Sequence, residues 1–158
     1  MRRCLNLLLM VVLSVPLFIS FAESEDYGFA PDFSLQDTNG ETVTLGSYKD
    51  KQAVLLVFWT TWCPYCRDGL KNLKDVRGEP ANDGLEILAV DVGEPSNKVN
   101  NFAKSYRLNF KVLLDQDKSV ARSFGVSGVP TYILINQNGN IVFKDAYFPQ
   151  EYKSLITE

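Results

Sequence analysis

The sequence predicts an α/β fold, a mixed central sheet flanked by helices with an N-terminal β-hairpin extension, and three observations carry that prediction. Ala53 to Trp59 is an unbroken apolar run of strand-forming residues, which must be covered on both faces. A helical repeat of apolar residues, Leu70, Leu73 and Val76, follows it after a short gap. The pairs Asn39-Gly40 and Asn138-Gly139 each separate two short strand-like runs, as tight hairpins require. A chain of 158 residues, 46% hydrophobic, is enough for one domain with a real core.

The elements follow in order. Asp32 to Leu35 and Thr42 to Leu45 alternate polar with apolar residues and form the first hairpin. After the buried strand 53–59, the helix carrying Leu70 to Val76 can end at Gly78. Leu85 to Val92 reads as a second buried strand. Ser96 is expected to cap a helix in which Val99, Phe102, Ala103 and Tyr106 share one face. A short strand, Val112 to Leu114, and a short helix, Ser119 to Phe124, come next. Thr131 to Asn136 and Ile141 to Lys144 form the second hairpin, and Gln150 to Thr157 a closing helix. The middle crossover demands parallel pairing and the last hairpin antiparallel pairing, so the sheet is mixed.

Residues 1–22 differ in kind. Arg2 and Arg3 precede an almost wholly apolar run, Leu5 to Phe21, and Ser20-Phe21-Ala22 then places small residues where a signal peptidase reads. The pattern predicts a secretory signal peptide, with a membrane anchor formed by residues 5–21 as the alternative. Residues 23–31 read as a flexible lead-in and 32–158 as the folded domain. Cys4 lies before the apolar run, which does not support lipid attachment there. The net charge of −3 becomes −5 without Arg2 and Arg3, and no basic run occurs, so nucleic acid is not an expected partner.

Export implies an oxidising periplasmic or other extracytoplasmic setting, where cysteines usually pair. Beyond residue 22 only Cys63 and Cys66 remain, and the chain has no histidine. Structural zinc, which takes four Cys or His ligands, is thereby excluded, as is a Cys-His or Ser-His catalytic pair, so no metal is expected.

A Cys-x-x-Cys pair where a buried strand hands over to a helix has a specific chemical use. Unpaired N–H groups and the macrodipole at the helix start favour negative charge, which lowers the thiol pKa of the first cysteine. Cys63 is therefore the expected nucleophile, the more exposed thiol, and Cys66 the resolving thiol. Pro64 suits the first helical turn, since its fixed φ fits and its missing N–H has no helical acceptor. A purely structural staple is the alternative, but a disulfide closing so short a loop removes little unfolded-state entropy. Trp59 ends a buried strand and reads as core. Trp62 abuts Cys63 in the turn and reads as an exposed ring that touches partners.

The segment Phe58-Trp59-Thr60-Thr61-Trp62-Cys63-Pro64-Tyr65-Cys66 resembles the active-site region of thioredoxin-like proteins. Gly128-Val129-Pro130-Thr131-Tyr132 resembles the loop that in those proteins holds a cis-proline facing the cysteines. Val90-Asp91-Val92-Gly93-Glu94 and Tyr106-Arg107-Leu108-Asn109-Phe110 resemble the extra segment of the TlpA/ResA branch, exported bacterial disulfide reductases of which several serve cytochrome c maturation. The resemblance runs from about Phe29 to Phe143. It implies a thioredoxin fold, Pro130 as the cis-proline, and Val129 offering backbone hydrogen bonds to an extended substrate. Trp62, Pro64 and Tyr65 complete the expected substrate-contact set. Two positions depart from the pattern. Val57 stands where thioredoxins carry a buried acid, and Gly69 where cytochrome-maturation members often carry a glutamate, with Asp68 beside it but turned elsewhere.

The expected function is exported reduction of protein disulfides, with no cofactor beyond the redox-active Cys63–Cys66 pair. Its partners would be disulfide-bonded proteins and a membrane thiol-disulfide electron carrier, with the protein itself a monomer. A disulfide-donating folding oxidant is the second reading, disfavoured because Pro64-Tyr65 carries no cation. A thiol peroxidase is the third: Thr60 matches the threonine of the peroxidatic motif, but Leu56 replaces its proline.

Overall fold

The computed structural model describes residues 27–78 and 84–156. The leader of residues 1–22, the start of the lead-in and Thr157 lie outside the described residues. The expected elements form within a residue or two of their sequence boundaries: β1 (Ser34–Gln36), β2 (Thr42–Thr44), β3 (Ala53–Trp59), α1 (Pro64–Gly78), β4 (Leu85–Val92), α2 (Ser96–Tyr106), β5 (Lys111–Asp115), α3 (Ser119–Ser123), β6 (Thr131–Ile135), β7 (Ile141–Asp145) and α4 (Tyr152–Leu155).

The sheet has five strands in the order β5-β4-β3-β6-β7. The β3–β4 and β4–β5 pairs are parallel, and the β3–β6 and β6–β7 pairs antiparallel, as the crossovers and the second hairpin require. β3 is central, and every one of its residues is buried. Its alternation divides the core. Ala53, Leu55, Val57 and Trp59 pack with Leu70 and Leu73 of α1 and Val99 of α2, on the face that also holds both cysteines. Val54, Leu56 and Phe58 face Phe33, Val43 and Leu45 of the N-terminal segment and Val120 and Phe124 around α3. The N-terminal hairpin thus covers the sheet face that α3 is too short to cover alone.

Both Asn-Gly turns are closed by an Asx side chain two residues before the Asn. Asp37 Oδ1 accepts from the Asn39 and Glu41 amides at 2.8 and 2.9 Å. Asn136 Oδ1 accepts from those of Asn138 and Asn140 at 3.1 and 3.0 Å. Gly40 and Gly139 take φ of 85° and 87°, which a side chain would strain.

Two local expectations change. Ser96 does not cap α2 but begins it. Pro95, extended at φ −62° and ψ 137°, takes the cap position with no side-chain bond, because proline's fixed φ suits the entry. Within the expected lead-in of residues 23–31, residues 28–30 are held against the second hairpin. The Ala30 amide donates to Gly139 O and the Ile141 amide to Gly28 O, both at 2.9 Å, with Phe29 bridging Asn140.

Candidate active site

The site forms where β3 ends. Thr60 and Thr61 turn the chain, the Cys63 amide donates to Thr60 O at 3.4 Å, and α1 begins at Pro64. Cys63 is therefore the N-cap residue: its carbonyl accepts from the Arg67 amide at 3.2 Å, the first helical bond. Its sulfur also points inward over the helix start, accepting from the Cys66 amide at 3.1 Å. Cys63 and Cys66 are joined in a disulfide. Both are buried, at 3% and 1% exposure, so the expected contrast between an open and a shielded sulfur is slight in the oxidised form. The covering group on the Cys63 side is the Val129 carbonyl, 3.8 Å from its Sγ.

That carbonyl belongs to a loop the sequence singles out. The Val129–Pro130 peptide is cis, and Thr131 Oγ1 donates to Gly128 O at 2.7 Å, closing the loop on itself. The loop reaches the cysteines because β6, which it precedes, pairs directly with β3; Thr131 lies opposite Phe58. Residues 66 positions apart in sequence meet through one strand pairing.

Trp59 is wholly buried and packs against Phe102 at 5.0 Å, while Trp62 is 65% exposed beside Cys63, each as expected. Pro64 and Tyr65 are also exposed. Tyr65 borders a cleft of about 530 Å³ whose walls are Gly69, Leu73, Pro130, Tyr132, Tyr147 and Phe148. A second, shallower groove runs along the other side of Pro130, past Val129 and Tyr27, and Pro130 and Ala146 form the ridge between the two. All seven expected site residues thus gather at one end of the sheet. Sequence reasoning missed Tyr132, Tyr147 and Phe148 on the cleft's far wall, which reach it only through the β6–β7 hairpin and its exit. Asp68 is exposed and pairs with Lys71 at 3.5 Å.

Behind the loop lies a group of acids that sequence reasoning named only as part of a resembling segment. Glu94 accepts from the Thr61 amide at 2.5 Å and from the Thr61 hydroxyl at 2.9 Å, and pairs with Lys98 at 2.6 Å. Asp91, 1% exposed, accepts from the Glu94 amide at 3.2 Å. Burial above all, and then the Glu94 carboxylate, push Asp91 up to about 8. Burial would raise Glu94 too, but Lys98 and the Thr61 donors outweigh it and hold Glu94 down at about 2. Two acids three residues apart, one of them closing a buried strand, were the available signal. Among the described residues no cluster of His, Cys, Asp and Glu could hold a metal ion.

A cysteine pair at a strand-to-helix junction, faced by a cis-proline loop on a mixed sheet, defines the class: a thiol-disulfide oxidoreductase of thioredoxin fold. Comparison with known proteins agrees. A family model described as the AhpC/TSA family matches residues 28–144. The thiol-disulfide oxidoreductase ResA of Bacillus subtilis is 42% identical over 123 residues, 78% of this chain and 66% of that protein. ResA of Geobacillus thermodenitrificans is 34% identical over 145 residues, 89% of this chain and 83% of that protein. The thioredoxin domain of a thiol-disulfide oxidoreductase from Bacteroides vulgatus superposes with a TM-score of 0.72 at 23% identity, covering 82% of this chain and 94% of that one, a likeness of fold. The chain belongs to the AhpC/TSA family, in its ResA/TlpA-like branch.

Proposed function

We propose that the protein reduces disulfide bonds of exported proteins, with Cys63 as attacking sulfur and Cys66 as resolving sulfur. The observation that carries this is the placement of Cys63: its sulfur takes the Cys66 N–H at the start of α1 and faces the Val129 carbonyl beside Pro130. In the reduced protein that N–H and the helix terminus stabilise a thiolate at Cys63. The thiolate attacks one sulfur of a substrate disulfide, forming a mixed disulfide and expelling the other sulfur as a thiolate. Cys66, as thiolate, then attacks Cys63 Sγ, re-forming the Cys63–Cys66 disulfide and releasing the second substrate thiolate. The substrate chain lies extended against Val129, with Trp62, Pro64 and Tyr65 on its other side. Two electrons must be returned each cycle, which a membrane thiol-disulfide carrier supplies.

Export rests on the leader pattern in residues 1–22 and is checked by the mass of the protein from its native source, expected to begin at Glu23. The direction of electron flow rests on charge. With no cation in Pro64-Tyr65 and no histidine, the helix terminus contributes at most about 2 kcal/mol to the thiolate. Each 1.4 kcal/mol shifts a two-electron couple by about 30 mV, so the terminus alone does not create a strong oxidant. Equilibration of the purified domain with glutathione is expected to give a potential between roughly −200 and −280 mV. A value near about −120 mV would replace this reading with that of a folding oxidant. The peroxidase reading is weaker, since Leu56, in place of the motif's proline, lies wholly buried in the middle of β3.

A further inference from the structure

Four buried side-chain polar atoms lack a hydrogen-bond partner among the described residues, and three of them, Trp59 Nε1, Thr60 Oγ1 and Asp91 Oδ2, sit where β3 and β4 end. Trp59 and Asp91 are directly opposite in the β3–β4 register. Leu85, Ile87 and Ala89 belong to the core that holds both cysteines, and Asp91 continues their alternation onto that face. Val57, where thioredoxins carry their buried acid, lies on the same face. This chain therefore keeps a buried carboxyl on the cysteine side of the sheet, one strand over from the expected place.

The contacts lead from that carboxyl to the redox loop. Asp91 Oδ1 accepts from the Glu94 amide, Glu94 holds both the amide and the hydroxyl of Thr61, and Thr61 stands two residues before Cys63. As a carboxylate, Asp91 would leave Oδ2 orphaned and set two buried anions against the one ammonium of Lys98. As an acid, its O–H has Glu94 as an acceptor at hand, and the pair carries one charge for Thr61 and Lys98 to share. Among the described residues, the groups around it supply no second cation to the pair. Trp59 and Thr60 are neutral, its β5 neighbour is Leu114, and α1 and α2 bring Leu70, Cys66 and Val99 to this core. Lys118 lays its stem over Gly93, and Asp115 turns to the opposite sheet face to cap α3.

We propose that Asp91 is a positioning residue of the redox site: its proton leaves Glu94 free to anchor Thr61, and losing that proton loosens the loop and makes Cys63 a poorer thiolate. The second effect is electrostatic, since a new buried anion on the cysteine face disfavours another. By reciprocity, a Cys63 thiolate makes Asp91 hold its proton more tightly.

The inference rests on Cys63 being the attacking sulfur, and its test is independent of which way electrons flow. In the Cys66→Ser background, alkylation of Cys63 by iodoacetamide between pH 5 and 10 should show two ionisations. One is that of Cys63 and the other that of Asp91, displaced above the value near 8 of the disulfide form because the Cys63 thiolate holds its proton, with the rate across that region departing about 2-fold from a single-site curve. Asp91→Asn should leave one ionisation, and Glu94→Gln should move the second to lower pH. On the unsubstituted disulfide form, which requires no variant to fold, NMR should show the Asp91 carboxyl carbon and the Thr61 amide proton titrating together near pH 8. A Thr61 amide flat from pH 5 to 9, an Asp91 already ionised at pH 6, or a second ionisation surviving in Asp91→Asn would overturn the proposal. If Cys63→Ser traps partners instead, it is the functional reading that fails, whatever Thr61 does.

Discussion

The Tyr132 hydroxyl occupies the space in which a side chain at residue 69 would begin: a Cβ on Gly69 would stand far closer to Tyr132 Oη than van der Waals contact allows. Gly69 lies one turn after Cys66 on α1, and Tyr132 lies opposite Val57 on β6. Val57 and Gly69, the two positions singled out in the sequence, are thus linked through one phenol. A side chain at residue 69 and the tyrosine hydroxyl at residue 132 compete for this volume.

Gly69→Ala should therefore destabilise the protein by about 1–3 kcal/mol through overpacking, in a helix where alanine alone would help. Tyr132→Phe removes the offending oxygen and leaves Tyr132 Cζ, 3.4 Å from the added Cβ, as the nearest contact. Urea unfolding of both single variants and the double variant gives the coupling. Most of the alanine's cost should vanish in the double variant, and simple additivity would show that the two positions do not compete.

The roles of the cysteines make opposite predictions for two serine variants. Cys66→Ser should accumulate mixed disulfides through Cys63, which no longer has a resolving thiol, and Cys63→Ser should accumulate none. Non-reducing gels of each variant after exposure to disulfide-bonded protein decide between them. Capture by Cys63→Ser alone reverses the assignment.

Asp91 and Glu94 act oppositely on stability against pH. The folded state raises Asp91 from 3.8 to about 8, so between those values the native protein binds more protons than the unfolded chain and its stability falls as pH rises. Glu94, lowered from 4.5 to about 2, contributes stability that is present above 4.5 and lost as pH falls towards 2. Urea unfolding of the disulfide form should therefore show stability declining from pH 5 to 8, by at most about 1.4 kcal/mol per pH unit from this source. Asp91→Asn should flatten that decline. An unchanged slope in the variant would assign it to other groups.

The fold was largely legible because its signals are local. The apolar run 53–59 lies within one strand, the repeat at Leu70, Leu73 and Val76 within one helix, and each Asn-Gly pair within one turn. The same holds for the two cysteines, whose spacing places one at the cap of α1 and the other one turn inside it. Ser96 stands one position past the cap its residue type predicts, because a local cap signal competes with the fixed φ of Pro95 and the backbone follows the proline.

What the sequence determined by itself is the placing of Cys63 and Cys66 at the start of α1 and the order of strands and helices around them, since hydrophobic period and turn chemistry act over a few residues. What only the tertiary structure decided is everything that reaches the cysteines from another strand. Sequence resemblance could mark the Val129–Pro130 loop, but only the β3–β6 pairing brings the Val129 carbonyl to Cys63. The same pairing sets Tyr132 against Gly69, and the parallel β3–β4 register sets Asp91 opposite Trp59. Register across a sheet is fixed by the packing of both its faces at once, so no window along the chain contains it.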